Sequence, residues 1–286
     1  MNICYLYTRD NNSNCDTQIY EDMLVMSIDT LLMFYKNSIE HIYLLIDNNI
    51  KDEYYNNLLS RIVDLNDFSI YKFIFKKVDL NITNIFKYPV NNCNNYKINR
   101  IGLAKFLIPH FVDCDEILYI DSDVLFNKKN AIDDLYKGYD NKNHILKMYQ
   151  NGWNSGIILF NCKLWRNNTS IIPDIIDHYE KCDNIIFVDN DTFGWLANKL
   201  HKENKCSLDN NWRINFPLVE HFEGLRIFYE SRGEKFNESV FTDYCKGCGE
   251  KYDWRNMYVV HVAGTSNVKN NIFYNIYNEI KNTYIL

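Results

Sequence analysis

The sequence predicts an α/β fold: a mostly parallel, Rossmann-like central sheet flanked by helices, closed by a C-terminal strand and helix. Two observations carry this prediction. Short β-rich apolar runs at Ile3–Tyr7, Ile42–Ile46, Tyr71–Val78 and Ile117–Ile120 recur along the chain. Between the first three lie segments whose apolar residues repeat at helical spacing, and strand–helix alternation is the pattern of a parallel sheet covered by helices. A third observation concerns function. The run Ile117–Ile120 has the composition of a strand buried on both faces and ends in Asp121-Ser122-Asp123.

Taken in order, Ile3–Tyr7 is the first strand, ending at Thr8-Arg9-Asp10, and 11–18 is a polar loop. From Tyr20, apolar Leu24, Ile28, Leu31 and Tyr35 mark an amphipathic helix. Ile42–Ile46 is a strand, Asp52–Val63 a helix with Leu58, Leu59, Ile62 and Val63 inward, and Tyr71–Val78 a third strand. The Asn-rich stretch 81–95, with Pro89, reads as a loop. Ile98–Val112 reads as a helix bent or ended near Pro109. It leads to Ile117–Ile120 and the two aspartates. Ile145–Tyr149 and Gly156–Phe160 are strands joined through the turn Asn151-Gly-Trp-Asn-Ser. Ile171–Tyr179 and Asp191–Leu200 are helices, the second capped by Asp189 or Asp191. The stretch 210–251 lacks strong periodicity; Met257–Val262 is a last strand and Ile272–Ile280 a closing helix. No linker, repeat or low-complexity block divides the chain, so one domain over 1–286 is expected.

Composition narrows the function classes. The chain has 286 residues, 47% of them hydrophobic and 15% aromatic, enough for a sizeable core. A net charge of −6 argues against a general nucleic-acid binder. No apolar run is long enough for a transmembrane segment, and the start lacks the basic and apolar regions of a signal peptide, so a cytoplasmic location is expected. Nine scattered cysteines fit reduced thiols better than a disulfide framework. Cys245-Lys-Gly-Cys248 is a lone pair with no partner pair at zinc-finger spacing.

Four constellations bear on chemistry. Two carboxylates against an apolar strand repel each other and resist ionisation unless a cation or hydrogen-bond donors neutralise them. At the carboxyl end of a strand they would line a ligand crevice. Asp121 and Asp123 therefore fit a divalent-metal site holding a diphosphate, and equally a polar turn. Asn154-Ser155-Gly156 places an amide and a glycine before a buried strand, either for close approach of a substrate or as a plain turn. Val188-Asp189-Asn190-Asp191 opens a helix; one acid is explained by capping, and the other polar groups are left for a sugar. His261 lies in the apolar run Val259–Ala263, where an imidazole is ordinarily a satisfied core residue. It gains weight because two carboxylates and an imidazole suit Mn²⁺, with Mg²⁺ also acceptable.

Together these stretches resemble glycosyltransferase family 8, the group of glycogenin and the bacterial lipopolysaccharide α-galactosyltransferases, with a GT-A fold. The resemblance covers most of Ile3–Lys269, and its parts fall in the family's order. Tyr20 matches the tyrosine that stacks on uracil. Lys105, within Leu103-Ala-Lys-Phe-Leu-Ile-Pro109, falls where members carry a diphosphate-contacting Arg or Lys. Leu118-Tyr-Ile-Asp121-Ser-Asp123 is the Asp-x-Asp motif, and Trp153-Asn154-Ser155-Gly156 matches an aromatic-Asn-(Ala/Ser)-Gly segment. Asp189-Asn190-Asp191 corresponds to Asp-Gln-Asp, Asp209-Asn-Asn-Trp212 resembles a late Trp-Asn motif, and His261-Val-Ala-Gly264 matches a His-x-x-Gly metal-ligand segment. Asn190 departs from the family's Gln, and Arg213 from its Asn. Asn267 stands where members have a Lys; Lys269 takes that phosphate role if the Asn267-Val268 spacer loops out.

The resemblance implies a retaining, metal-dependent hexosyltransferase using UDP-glucose or UDP-galactose. Asp121, Asp123 and His261 would hold Mn²⁺ or Mg²⁺. Thr8, Tyr20, Lys105, Ser122, Asn154, Ser155, Gly156, Asp189, Asn190, Gly264 and Lys269 would bind the UDP-hexose donor. Lys105, Asp189, Asn190 and Asp191 would serve the reaction, by double displacement through Asp189 or Asp191 or by front-face attack. The acceptor is a glycan, a protein or a lipid, and a homodimer is left open. Two other classes compete: a non-catalytic or hydrolytic nucleotide-sugar-binding protein, and a haloacid-dehalogenase-type phosphatase. The latter also uses Asp-x-Asp but expects Thr or Val at the position of Leu125.

Overall fold

The structure is a computed structural model that describes residues 1–7, 17–63, 65, 72–79, 104–149, 155–181, 188–209, 216–217, 255, 257–261 and 267–284. Its first part is built as the alternation predicts: β1 (Asn2–Tyr7), α1 (Thr17–Tyr35), β2 (His41–Asp47), α2 (Asp52–Val63) and β3 (Phe73–Val78). All three strands pair in parallel. β4 (Glu116–Ile120) then lies on the other side of β1, also parallel. β5 (Val124–Phe126) and α4 (Ala131–Tyr136) follow, then β6 (Leu146–Tyr149), β7 (Ile157–Asn161), α5 (Cys162–Asn167), α6 (Ile171–Lys181), α7 (Val188–Lys202) and β8 (Cys206–Asp209). The sheet runs β3-β2-β1-β4-β7-β6-β8, with β7 antiparallel to both of its neighbours. A second, three-stranded sheet joins β5 to β10 (Val259–His261) and β9 (Phe216–Pro217). The last element of the described residues is α8 (Asn267–Tyr284).

Side-chain alternation explains why β4 sits centrally. Ile117 and Tyr119 pack into one core cluster with Cys4, Leu6, Ile158, Phe160 and Trp165. Leu118 and Ile120 pack into the opposite cluster with Ile3, Tyr5, Ile28, Leu31 and Leu159. A strand with apolar residues on both faces is stable only where both faces are covered. The first cluster is closed by Phe193, Leu196 and Ile175 of α7 and α6, the second by α1, α2 and α4. A third cluster joins Met23, Leu125, Val260, Phe273, Ile276 and Ile280, fastening α8 and the small sheet to α1.

Three expectations are corrected. Val63, expected inward on α2, is 46% exposed. Of the helix expected over Ile98–Val112, residues 98–103 lie outside the described residues, Ala104 is helical, a 3₁₀ turn spans Lys105–Leu107 and the α-helix α3 spans Ile108–Phe111. Pro109 stands in the first turn of α3, where its missing N–H has no partner to lose, and α3 ends two residues later at Phe111, near Pro109 as expected. Helix α7 begins at Val188, so Asp189 and Asp191 lie inside its first turn and neither precedes it as a cap. Helix α8 begins at Asn267, so the Asn267-Val268 spacer is helical and does not loop out. Helices α4 and α5 were not foreseen, being only six residues each. Asn161, last residue of β7, caps α5 by accepting the Leu164 N–H at 2.9 Å.

Candidate metal and donor site

Register assembles the site. β4 delivers Asp121 to the carboxyl end of the central strand, and a turn through Ser122 and Asp123 leads into β5. β10 runs antiparallel to β5 with His261 opposite Val124, which sets the imidazole beside Asp123. His261 Nε2 lies 3.0 Å from Asp123 Oδ1. One ligand atom from each of Asp121, Asp123 and His261 falls within 4.8 Å of the other two. The three predicted metal ligands, from two segments distant in the chain, are thus brought together.

Lys105 joins them. Its Nζ donates to Asp121 Oδ2 at 3.1 Å, to Ser155 Oγ at 3.0 Å and to the Ser155 carbonyl at 3.4 Å. The ammonium also stands 5.3 Å from the centre of the Tyr119 ring. Lys105 and Ser155 are both buried. A buried ammonium is tolerated only when paired and hydrogen-bonded, and here the carboxylate and two oxygens of Ser155 supply that. The turn holding Ser155 and Gly156 opens β7, and the Gly156 carbonyl accepts the Asp121 N–H at 2.8 Å. The Tyr119 hydroxyl donates to Asp121 Oδ1.

These contacts set the electrostatics. Burial pushes the Asp121 carboxyl above its ordinary range; Lys105 pulls it back, Asp123 adds to the rise, and His261 and Tyr119 oppose it. The net result is upward, which is the state of a carboxylate pair still short of positive charge. Two carboxylates and an imidazole at this spacing are an oxygen-rich set with one borderline nitrogen, a donor set that fits Mn²⁺ or Mg²⁺.

The other predicted residues are placed less completely. Tyr20 lies in the first turns of α1 and is 41% exposed. Next to it Glu21 is wholly buried and accepts from the Tyr7 hydroxyl at the end of β1. Ser122 is half-buried in the turn between the aspartates. Asp189, Asn190 and Asp191 stand in the first turn of α7 and Lys269 in the first turn of α8, their side chains lying outside the description. Thr8, Asn154 and Gly264, and the Cys245 and Cys248 pair, lie outside the described residues. Sequence reasoning missed Tyr119. Its signal was there, since residues two apart on a strand share a face and Tyr119 stands two before Asp121.

No family model matches the chain. Over 127 residues, 42% of this chain, it is 30% identical to the glycosyltransferase GlyE of Streptococcus pneumoniae, and the match spans 29% of that protein. Among solved structures it is similar to the galactosyltransferase LgtC, seen in complex with donor and acceptor sugar analogues: TM-score 0.58, 16% identity, covering 98% of this chain and 96% of that one. The apo form of GlyE gives a TM-score of 0.56 at 17% identity, over 99% of this chain and 62% of the longer one. Mouse xyloside xylosyltransferase 1, also without ligand, gives 0.54 at 14% identity, over 93% and 99%. The fold is the GT-A fold of these glycosyltransferases, and fold and partial sequence match together support the family 8 resemblance drawn from the motifs.

Proposed function

We propose that this protein is a retaining, divalent-metal-dependent hexosyltransferase that takes glucose or galactose from a UDP-sugar. The observation that carries the reading is the meeting of Asp121, Asp123 and His261 at the end of the central strand of a GT-A sheet. Those three residues would hold Mn²⁺ or Mg²⁺. When bound, that cation supplies Lewis-acid stabilisation of the charge gathering on the diphosphate leaving group. Lys105, packed against Asp121, adds positive charge on the same side of the site. Tyr20 offers an exposed aromatic face for the uracil. Ser155 and Gly156, with Asn154, would contact the donor at the turn before β7, and Thr8, Ser122 and Gly264 would complete its binding. Asp189 and Asn190 hold the sugar, and Asp189 or Asp191 is the carboxylate available for a double displacement. The acceptor is a glycan, protein side chain or lipid, and residues 1–286 act as one catalytic domain.

A second reading draws on Asn267, which stands where the family's phosphate-binding lysine is expected: a protein that binds the nucleotide sugar without transferring it. The phosphatase reading has no support from the GT-A likeness. Incubation with labelled UDP-glucose and UDP-galactose, with and without Mn²⁺, tests these readings. Metal-dependent release of UDP with the label on an acceptor is the expected result. Tight donor binding without turnover, across a panel of sugar, protein and lipid acceptors, would replace the transferase by the binding protein.

A further inference from the structure

Tyr119 is 2% exposed, and a phenol at that depth needs a partner for its hydroxyl. The partner is Asp121 Oδ1, on the same face of the strand two residues on. The remaining contacts of Asp121 complete a cradle. Oδ2 receives the Lys105 ammonium, which Ser155 anchors from the other side, and the backbone N–H is tied to Gly156. The tyrosine ring is itself fixed by the core cluster that holds Ile117, Phe106 and Phe160. Its hydroxyl therefore approaches Asp121 from a rigid direction. A carboxylate oxygen has two lone-pair sites, so accepting from Tyr119 leaves capacity on Oδ1 for a cation.

We infer that Tyr119 is the positioning residue of the cation site: its hydroxyl, delivered from the core, fixes the rotamer of Asp121 so that the carboxylate is preset toward Asp123 and His261. The inference rests on the cation reading given above and adds to it a residue that touches neither donor nor metal. Partners of metal ligands that orient them are worth about 10- to 100-fold in metal affinity.

The test is Mn²⁺ titration of the full chain without donor, followed by electron paramagnetic resonance, on the wild type, Tyr119→Phe and Tyr5→Phe. Tyr5 is an equally buried tyrosine on the neighbouring strand whose hydroxyl pairs with Ser27 at 3.1 Å, away from the aspartates. Tyr119→Phe is expected to weaken Mn²⁺ about tenfold and to change the bound-metal spectrum, while Tyr5→Phe does neither. Tyr119→Leu, which removes ring and hydroxyl together, is expected to lose at least as much. Either Tyr119 variant binding Mn²⁺ with wild-type affinity and spectrum overturns the role and leaves the cation reading standing. A wild type that takes up no Mn²⁺ overturns the cation reading itself, and the role of Tyr119 with it.

Discussion

Tyr277 of α8 donates its hydroxyl hydrogen to Asp29 Oδ2 of α1 across 2.6 Å, and Lys281, one turn further on, reaches the same oxygen at 3.0 Å. Asp29 is 1% exposed, so these contacts hold a charge inside the joint between the two helices. Hydrogen bonds to a buried charge are worth about 1.5–3 kcal/mol. Tyr277→Phe should therefore lower unfolding stability by about that amount in urea denaturation. Lys281→Met should do less, because that side chain is 39% exposed and screened by water. No loss from Tyr277→Phe would show that the joint is held by the apolar cluster of Met23, Phe273 and Ile276 alone.

The proposed metal ligands make a separate prediction. Asp123→Ala and His261→Ala each remove a member of the cluster whose atoms lie within 4.8 Å. Both should abolish Mn²⁺ binding in calorimetry and reduce turnover by at least about a hundredfold, the scale of losing one transition-state stabilising contact. Circular dichroism should remain that of the wild type. Retained metal binding in either variant would move the site elsewhere.

For the donor base, Tyr20→Ala should weaken UDP binding by about tenfold or more, since base-on-aromatic stacking contributes roughly 1–3 kcal/mol. The residue is exposed, so the loss should come without a fall in thermal stability. Unchanged affinity by calorimetry leaves Tyr20 as an ordinary surface residue at the start of α1.

The phosphate charge separates two lysines. Lys269 lies in the first turn of α8, a helix end that itself favours anions. If it meets the diphosphate in the transition state, Lys269→Ala lowers kcat more than it raises KM. Lys105→Ala should do at least as much damage, and it should also loosen the turn at Ser155 that the ammonium holds. Wild-type kinetics from Lys269→Ala beside a crippled Lys105→Ala would assign the charge to Lys105 and the metal.

Stability should fall in alkali. Burial pushes the hydroxyls of Tyr35, Tyr43 and Tyr136 up to about 12. The folded state thus favours the neutral phenol, and the unfolded chain ionises first, near the ordinary value of 10.0. The contribution is complete below that value and is lost as pH rises from it toward the folded values. Urea midpoints measured from neutral pH upward should stay level to about pH 8 and then decline, since the buried thiols of Cys4 and Cys206, also raised by burial from 9.0, add to the same loss. A midpoint that is flat through pH 11 would contradict the burial of these side chains.

Much of this was legible before any coordinates. The strands β1, β2 and β4 are plain because both their faces are apolar, and Asp52–Val63 matches its helix residue for residue, although of its expected inward residues only Leu58 and Ile62 are buried and Val63 is exposed. Around Pro109 the helical spacing is met in the described residues by a 3₁₀ turn followed by α3, which ends at Phe111. Helices α4 and α5 are too short for a period to show. Within the site, Asp121, Asp123 and His261 were readable as types in suggestive places. Their convergence was not, since it depends on the β5–β10 register between distant segments. Tyr119 hid inside a run read as core, where its ring does belong.

The pairing of β5 with β10 also orders events during synthesis. The Asn127 amide donates to the Met257 carbonyl at 2.9 Å, a contact between residues 130 apart in the chain. The aspartates leave the ribosome first, on a strand whose parallel partner β1 has already emerged. The imidazole that faces them follows only after β6 to β9 have been made. A nascent chain stopped short of β10 carries the two acidic groups without His261, so under the proposed function the ability to take up a cation would appear late and all at once, when β10 pairs with β5.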